Sequence, residues 1–303
     1  MEAREAKARA CRIPWAGQDS AGSPVPAAAW DFETFAQHVY AKSGIDLRAY
    51  KRQQMQRRIN SLMQSLGIED YRIYFELLDK DRGRYEEFLR RLTINVTEFF
   101  RNPERYDDLR EKILPELARN AARRGEPLKI WSAGCADGAE PYSVAMILAE
   151  MGLLRQARIL ATDVDVQVLE RARAGVFVEF EMKNISSQRM QRFFVSGGQG
   201  RFQVVEDLRR AVEFRRHDLL QDPYESGFDL ILCRNVVIYF TEDAKHSLYR
   251  RLVGALAEQG ILFVGGTEPI LRYREYGLDL VGQGFYRRAS RVPSDAQGRR
   301  HWV

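Results

Sequence analysis

The stretch Ile130–Ser143, IWSAGCADGAEPYS, decides the fold because an apolar run breaks into a turn of small residues and restarts as a helix. This order predicts a buried strand, a tight loop and a helix N-terminus, a common setting for a nucleotide-like ligand. Gly134 and Gly138 allow a close turn because they carry no Cβ atom. Glu140, next to the helix-starting Pro141, would repel a phosphate. An acid there favours a ligand with hydroxyls and positive charge, although a glycine-rich turn alone also fits other α/β proteins.

Three further short apolar runs indicate more buried strands: Ala157–Thr162, Phe228–Cys233 and Ile261–Val264. Helical segments separate them, which predicts a parallel sheet covered on both faces, with a ligand crevice at the carboxyl ends of its strands. Asp163 ends the second run about 25 residues after the glycine turn, near the spacing at which an acid meets ribose hydroxyls. Asn235 follows the third run. We expect both at the carboxyl ends of strands, with Asp163 exposed, and helix capping is the alternative role. An acid suited to ribose hydroxyls and another suited to a positive charge together favour S-adenosylmethionine, which carries a ribose and a sulfonium, as the ligand.

The rest of the chain divides by pattern. From Trp30 to about Arg91 the apolar residues recur at helical spacing, which predicts a small all-helical domain. The long connection between the second and third runs alternates apolar and polar residues around glycines, which predicts a small antiparallel insertion. Both ends lack a sustained apolar pattern, and we expect them to be disordered. The predicted units are an extension (1–29), a helical domain (30–100), an α/β domain (101–289) with an insertion at 175–216, and a tail (290–303).

Composition excludes several classes. The 303 residues are 45% hydrophobic and 29% charged, values typical of a globular protein. No apolar run reaches the ~18 residues of a membrane helix, and no secretion signal opens the chain, so we expect a cytoplasmic protein without membrane insertion. The three cysteines and four histidines show no ligand spacing, so we predict no metal and no disulfide framework.

Four sequence blocks carry a family resemblance: RLTINVTEFFRNP, WSAGCADGAEPYSVAM, ATDVDVQVLERARAGVF and FDLILCRNVVIYF. Together they resemble the chemotaxis receptor methyltransferases of the CheR family, in consistent order from about Phe32 to Tyr286. The resemblance implies a class I, Rossmann-like methyltransferase that moves a methyl group from S-adenosylmethionine to glutamate side chains of chemoreceptors and releases S-adenosylhomocysteine. The substrate comes from the resemblance alone.

The resemblance also implies roles for individual residues. Arg101 matches the residue that holds the acceptor carboxylate, and Tyr239 could orient an oxygen or sulfur. Taken alone, Arg101 fits an interdomain salt bridge and Tyr239 a core aromatic. The predicted cofactor-binding set, which includes the glycine turn and the strand-end acid, is Asn95, Thr97, Arg101, Gly134, Glu140, Asp163, Asp218, Leu219, Asn235 and Val236.

The helical domain contains a basic segment, RAYKRQQMQRR, in which several of five cations could share one helix face: Arg48, Lys51, Arg52, Arg57 and Arg58. A solvated face is one interpretation, and a nucleic-acid surface is another, given a pI of about 9.1. The resemblance implies instead that this segment faces the acidic methylation helices of the receptor, where charge would guide encounter. We expect a monomer.

Two other functions remain open. A nucleic-acid methyltransferase would need a base-stacking acceptor motif such as NPPY, which does not follow the third run. A non-catalytic relative would bind the cofactor as a signal and would be expected to lose the residue that holds the acceptor.

Departures from the family pattern concern three places. Ala139 replaces a usual acid, and GGTE at 265–268 stands where relatives have GHSE, which we expect to change sheet-edge packing and substrate preference only. Relatives that add a receptor C-terminal peptide to the edge of the insertion have a longer hairpin loop than Ser196–Arg201. We therefore predict that this chain needs no such tether.

Overall fold

The computed structural model describes residues 29–92, 97–266 and 268–290. Apart from Ala29 and Ser290, the segments predicted to be disordered lie outside the described residues, and so does Asn95.

The N-terminal region is helical, as its sequence pattern predicts. Its helices are α1 (Phe32–Ser43), α2 (Arg52–Ser65), α3 (Tyr71–Lys80) and α4 (Arg82–Leu92). Asp31 starts α1 by accepting a hydrogen bond from the Thr34 amide, and Asp70 caps α3 in the same way. Phe35 and Ile59 are among the fully buried residues of its core.

A continuous helical stretch links this region to the sheet. It consists of α5 (Pro103–Asp108), a π-helical turn (Leu109–Ile113) and α6 (Leu114–Arg124). Gly125, at φ +67°, ends it in the left-handed conformation.

The described residues form ten strands. They are β1 (Leu128–Ala133), β2 (Ala157–Asp163), β3 (Val176–Val178), β4 (Phe194–Gly198), β5 (Arg201–Val204), β6 (Val212–Arg216), β7 (Phe228–Cys233), β8 (Leu256–Val264), β9 (Leu278–Gly282) and β10 (Phe285–Arg288). Seven of them form the main sheet in the order β6-β2-β1-β7-β8-β10-β9. The four predicted strands are present, and β6, β2, β1, β7 and β8 run parallel.

Two features of the sheet differ from the prediction. The hairpin β9–β10 adds two antiparallel strands at one edge, so the sheet is mixed. Val212–Arg216, which the sequence analysis placed in the insertion, is an edge strand of the main sheet beside β2. Its apolar residues alternate because only one of its faces is buried.

Helices cover both faces of the sheet. They are α7 (Ala139–Glu150), α8 (Val166–Ala174) and α11 (Glu242–Ala255), together with α6. Neighbouring residues of one strand enter different cores: Ile130 and Leu230 pack with α6 and α7, whereas Trp131 and Ile231 pack with α11. Burial on both faces explains why these strands are written as continuous apolar runs.

The insertion contains an antiparallel sheet in the order β3-β5-β4 with α9 (Ser187–Phe193), and α10 (Glu206–Ala211) leads back to β6. Gln199 and Gly200, at φ +53° and +69°, form the tight turn between β4 and β5. Phe177 and Phe194 pack against Phe99, in the segment that leads into α5.

The helical region meets the loop after β7 through main-chain hydrogen bonds. The Lys51 amide donates to the Tyr239 carbonyl at 2.8 Å, and the Thr241 amide donates to the Ala49 carbonyl at 2.9 Å. The rings of Tyr50 and Phe240 lie edge to face between them, with centroids 5.0 Å apart. This contact places the helical region over the carboxyl ends of the strands.

Candidate active site

A cleft of about 1030 Å³, open to solvent, lies at the carboxyl ends of β1, β2 and β7. Every predicted site residue within the described part of the chain lines it: Thr97, Arg101, Gly134, Glu140, Asp163, Asp218, Leu219, Asn235, Val236 and Tyr239. Asn95 lies outside the described residues. Residues from distant parts of the chain therefore meet at the predicted edge of the sheet.

The glycine turn forms one wall of the cleft. Gly134 has φ +83°, and a Cβ atom there would lie 2.6 Å from Cγ2 of Val236. Both the strain and the collision require glycine. The amides of Gly134 and Cys135 donate to the Thr162 carbonyl at 2.8 and 2.9 Å, which ties the turn to the end of β2.

Asp163 is fixed by this turn. Its two carboxylate oxygens accept hydrogen bonds from the amides of Ala136 and Asp165, each at 3.0 Å. The expectation of an exposed acid is wrong, because only 8% of Asp163 is exposed, and this burial raises the pKa of its carboxyl to about 6. Helix capping is done by Asp165 instead, which accepts from the amides of Gln167 and Val168. Asp163 can therefore turn its remaining lone pairs to ligand hydroxyls.

Glu140 is the second acid of the cleft. It accepts a hydrogen bond from the Ser132 hydroxyl at 2.7 Å, and Nη1 of Arg234 lies 3.6 Å from its other oxygen. Burial raises the pKa of Glu140, while the charges of Arg234 and Arg101 act in the opposite direction. A positively charged ligand would relieve the cost of this buried acid.

Asp218 and Leu219 line the cleft from the segment that follows β6. One carboxylate oxygen of Asp218 accepts from the Leu220 amide at 2.8 Å, and the other accepts from the Gln221 side chain at 3.1 Å. The carboxylate is thus oriented while it lines the cleft.

The loop after β7 forms the remaining wall. Asn235 adopts φ +59°, and Glu268 supports it by accepting hydrogen bonds from the amides of Asn235, Ile238 and Gly265. A Cβ atom at Gly265 would collide with this carboxylate. The GGTE departure was expected to change sheet-edge packing and substrate preference, and this role of Glu268 was not predicted. An acid shortly after a strand was the sequence feature that could have indicated it.

Tyr239 and Arg101 lie half-buried in the cleft. The guanidinium of Arg58 is 5.9 Å from the Tyr239 ring centroid. Burial raises the pKa of the Tyr239 phenol, and the nearby charges of Arg58 and Arg101 oppose that rise. Tyr239 is therefore a protonated phenol at neutral pH and lies at the cleft rather than in the core.

The structure adds residues that the sequence analysis did not assign: Tyr50, Ala136, His217, Arg234 and Phe240. Tyr50 comes from the helical region. Burial raises the pKa of its phenol, and the charges of Asp218 and Asp163 raise it further. The sequence feature that could have indicated this residue is that Tyr50 is the single aromatic of the basic segment.

The five cations of the basic segment lie in different surroundings. Arg48 lies before α2 in a short 3₁₀ turn and pairs with Asp46 at 2.8 Å. Arg58 donates to the Leu92 carbonyl at 2.7 Å and turns toward Tyr239. Within the segment, Arg57 points to solvent.

The described residues contain neither a metal-ligand cluster nor a membrane-spanning helix. Across residues 29–92, 97–266 and 268–290, no three His, Cys, Asp or Glu side chains are placed to hold a metal ion. In the same residues, no helix combines the length and apolar character needed to cross a membrane.

Comparison with known proteins identifies the family. Residues 30–93 match the family model for the all-alpha domain of CheR methyltransferases, and residues 95–278 match the model for their SAM-binding domain. The chain belongs to the CheR methyltransferase family. A chemotaxis protein methyltransferase of Listeria monocytogenes is 41% identical over 84% of this chain and 96% of its own length.

Two further relatives of this CheR-family chain carry the same name. One, from Escherichia coli K12, is 35% identical over 84% of this chain and 89% of its own length. Another, chemotaxis protein methyltransferase 2 of Pseudomonas aeruginosa, is 34% identical over 84% of this chain and 92% of its own length. The chain is therefore a methyltransferase that uses S-adenosylmethionine.

The cleft of this CheR-family enzyme fits the cofactor. The turn at Gly134 leaves no room for a Cβ atom beside Val236, and the buried acids Glu140 and Asp163 suit a cation and hydroxyl groups. When bound, the cofactor supplies an electrophilic methyl group on a sulfonium.

The pKa of Asp163 leads to a prediction about cofactor affinity. Ribose hydroxyls donate more strongly to the carboxylate than to the acid, so affinity for S-adenosylhomocysteine should fall as pH drops through about 6, by up to tenfold per pH unit. Because the folded pKa lies above the unfolded value of 3.8, this group favours folding at low pH, and its contribution declines as pH rises toward about 6. Loss of binding in acid would therefore not reflect unfolding through Asp163. Calorimetric titration with S-adenosylhomocysteine from pH 5 to 8 measures this change in affinity.

The matched control is Asp163→Asn, which keeps the shape and removes the ionisation. It should bind more weakly at pH 7.5 and show a shallower pH dependence, with Glu140 as the remaining buried acid. An unchanged slope in Asp163→Asn would refute the assignment.

Proposed function

We propose that this CheR-family enzyme methylates glutamate side chains of chemoreceptors, releasing S-adenosylhomocysteine, as a monomer in the cytoplasm. The observation that carries this proposal is the position of Arg101 and Tyr239 in the cofactor cleft. A cation beside a protonated phenol suits an anionic acceptor, and the acids Glu140 and Asp163 on the other walls would repel one.

The proposed chemistry needs positioning more than acid or base catalysis. A glutamate carboxylate is already ionised at neutral pH, so no residue has to remove a proton. Arg101 can donate two hydrogen bonds from its planar fork and hold the carboxylate in line with the methyl group. Tyr239 can donate its phenol proton to a neighbouring oxygen or sulfur, since burial keeps it protonated.

The proposed partner is the acidic, helical methylation region of the receptor. It would approach the helical domain, which lies over the cleft. Since Arg48 and Arg58 are engaged within the protein, the docking charge falls mainly to exposed Arg52 and Arg57. Such charges would speed encounter and fix orientation more than they would add affinity.

Arg101→Ala should lower turnover far more than cofactor affinity. Loss of one charge-assisted contact to the acceptor slows the reaction about 100-fold, while affinity for S-adenosylhomocysteine stays within about threefold. The measurement is transfer of labelled methyl to receptor-rich membranes, with cofactor affinity determined by calorimetry.

Arg82→Ala serves as the control for loss of an arginine, because Arg82 is highly exposed and its ion pair among the described residues is with Glu86, one turn along its own helix. It should behave as the unchanged protein. A wild-type methylation rate in Arg101→Ala would overturn the proposed role of Arg101. If the unsubstituted protein binds the cofactor but transfers no methyl group, it is a regulatory relative instead.

The short hairpin leads to a prediction about receptor recognition. The Gln199–Gly200 turn leaves little chain to support an added peptide, so methylation should not depend on the receptor's C-terminal residues. A cognate receptor with and without its last residues should be methylated at rates within about twofold, whereas a tethered mechanism loses the gain in effective concentration. A large loss of rate on truncation would show that the hairpin serves a peptide after all.

A further inference from the structure

Arg101 sits in an unusual backbone turn. The residues on either side of it, Phe100 and Asn102, have φ values of +50° and +63°. Neither is glycine; asparagine tolerates the left-handed region, but for a bulky residue such as Phe100 this conformation is strained. A turn of this kind persists only where its surroundings hold it in place.

Groups from two parts of the fold hold the first half of the turn. The Phe100 amide donates to the Ser143 hydroxyl of α7 at 3.0 Å, and that hydroxyl donates to the Ala139 carbonyl. From the insertion, the Asn184 side chain donates to the Phe99 carbonyl at 3.1 Å. The Arg189 guanidinium lies 4.1 Å from the centroid of the buried Phe100 ring.

Arg234 holds the second half of the turn. Its Nη2 donates to the Arg101 carbonyl at 2.6 Å and to Oδ1 of Asn102 at 3.1 Å, so it grips the left-handed residue and its neighbour together. Its Nη1 donates to the Tyr106 hydroxyl at 3.1 Å. The guanidinium also lies against the rings of Tyr106 and Phe263.

Arg234 is a costly residue to place there. Its side chain is 2% exposed, and its Nε finds no hydrogen-bond partner among the residues that the structure describes. Its carboxylate partner is Glu140, at 3.6 Å. A buried ion pair adds little stability over well-packed apolar residues, so stability alone gives a weak reason for an arginine at this position.

Geometry supplies a stronger reason. One planar fork reaches the Arg101 carbonyl, the Asn102 side chain and the Tyr106 hydroxyl at fixed angles, which an ammonium cannot do. Arg234 directly follows β7 and precedes Asn235, in the loop after that strand. It therefore joins the cofactor wall to the turn that presents Arg101.

We propose that Arg234 is a positioning residue for methyl transfer, which sets the position of Arg101 through the backbone of the strained turn. The proposal rests on the proposed function, in which Arg101 holds the acceptor carboxylate. Arg234 itself touches neither acceptor nor methyl group in this role.

The test is a double-mutant cycle between Arg234→Lys and Arg101→Ala. Lysine keeps the charge beside Glu140 and loses the fork. Arg234→Lys should lower kcat about tenfold, while affinity for S-adenosylhomocysteine stays within about threefold. In the Arg101→Ala background the same change should alter kcat less than about twofold, because there is no longer an Arg101 side chain to misplace.

Two further variants make the test specific. Arg287→Lys is the matched control, since the buried Nε of Arg287 also has no hydrogen-bond partner within the described part of the chain. Arg287 pairs with Glu116, but it lies on β10 away from the cleft. It should leave kcat unchanged. Ser143→Ala loosens the other side of the turn and should repeat the kcat loss of Arg234→Lys, again only when Arg101 is present; it carries the test if Arg234→Lys does not fold.

The outcomes separate the two proposals. If Arg101→Ala is slow and the second substitution multiplies its loss, Arg234 does not act through Arg101 and this inference fails alone. If Arg101→Ala methylates at the wild-type rate, the proposed function of Arg101 fails first. Equal losses of kcat in Arg234→Lys and Arg287→Lys would indicate a general effect on stability and would also overturn the inference.

Discussion

The buried carboxylate of Glu268 supports the loop on which the rest of the site depends. It accepts hydrogen bonds from the amides of Asn235, Ile238 and Gly265, and only 5% of Glu268 is exposed. Its hydrogen bonds satisfy amides that would otherwise be buried without partners in an irregular segment. The same loop places Val236 against the Gly134 turn, carries Tyr239, and bonds to the helical region through the Tyr239 carbonyl. One wall of the cleft, Tyr239 and the contact with the helical region therefore share one support.

Charge is distributed unevenly around the cleft. Burial raises the pKa values of three acids, Glu140, Asp163 and Glu268, while cationic groups are contributed by Arg101 and Arg234. The carboxylate oxygens of Glu268 are occupied by hydrogen bonds from three backbone amides. Glu140 and Asp163 keep lone pairs available for a ligand. This arrangement fits a cationic cofactor deep in the cleft and an anionic acceptor beside Arg101.

Sequence reasoning predicted the parts of the fold that local patterns encode. The strands β1, β2, β7 and β8 and the helical region follow from apolar periodicity, and the family and its cofactor are confirmed by the comparisons. The strand Leu278–Gly282 escaped prediction because Leu278 is its single buried residue, so it carries no alternating signal. Val212–Arg216 was assigned to the wrong sheet because alternation shows one buried face without showing which partner it pairs with.

The same limit applies to the site. The glycine turn and Asp163 could be found because strand ends meet at one edge of a parallel sheet. The supporting residues could not, since Glu268 acts on Asn235 from 33 positions away and Arg234 acts on Arg101 from 133 positions away. Such contacts leave no periodic trace in the sequence. The individual roles of the matched residues stay predictions until the variants are measured.

The chemical nature of the methylated product tests the central claim most directly. A receptor labelled by this enzyme with tritiated methyl groups can be treated with mild alkali, which hydrolyses carboxylate esters and leaves methylated nitrogen or carbon intact. Transfer to glutamate predicts that nearly all of the label leaves the protein as volatile methanol. Label that stays bound to the receptor after this treatment would contradict the account.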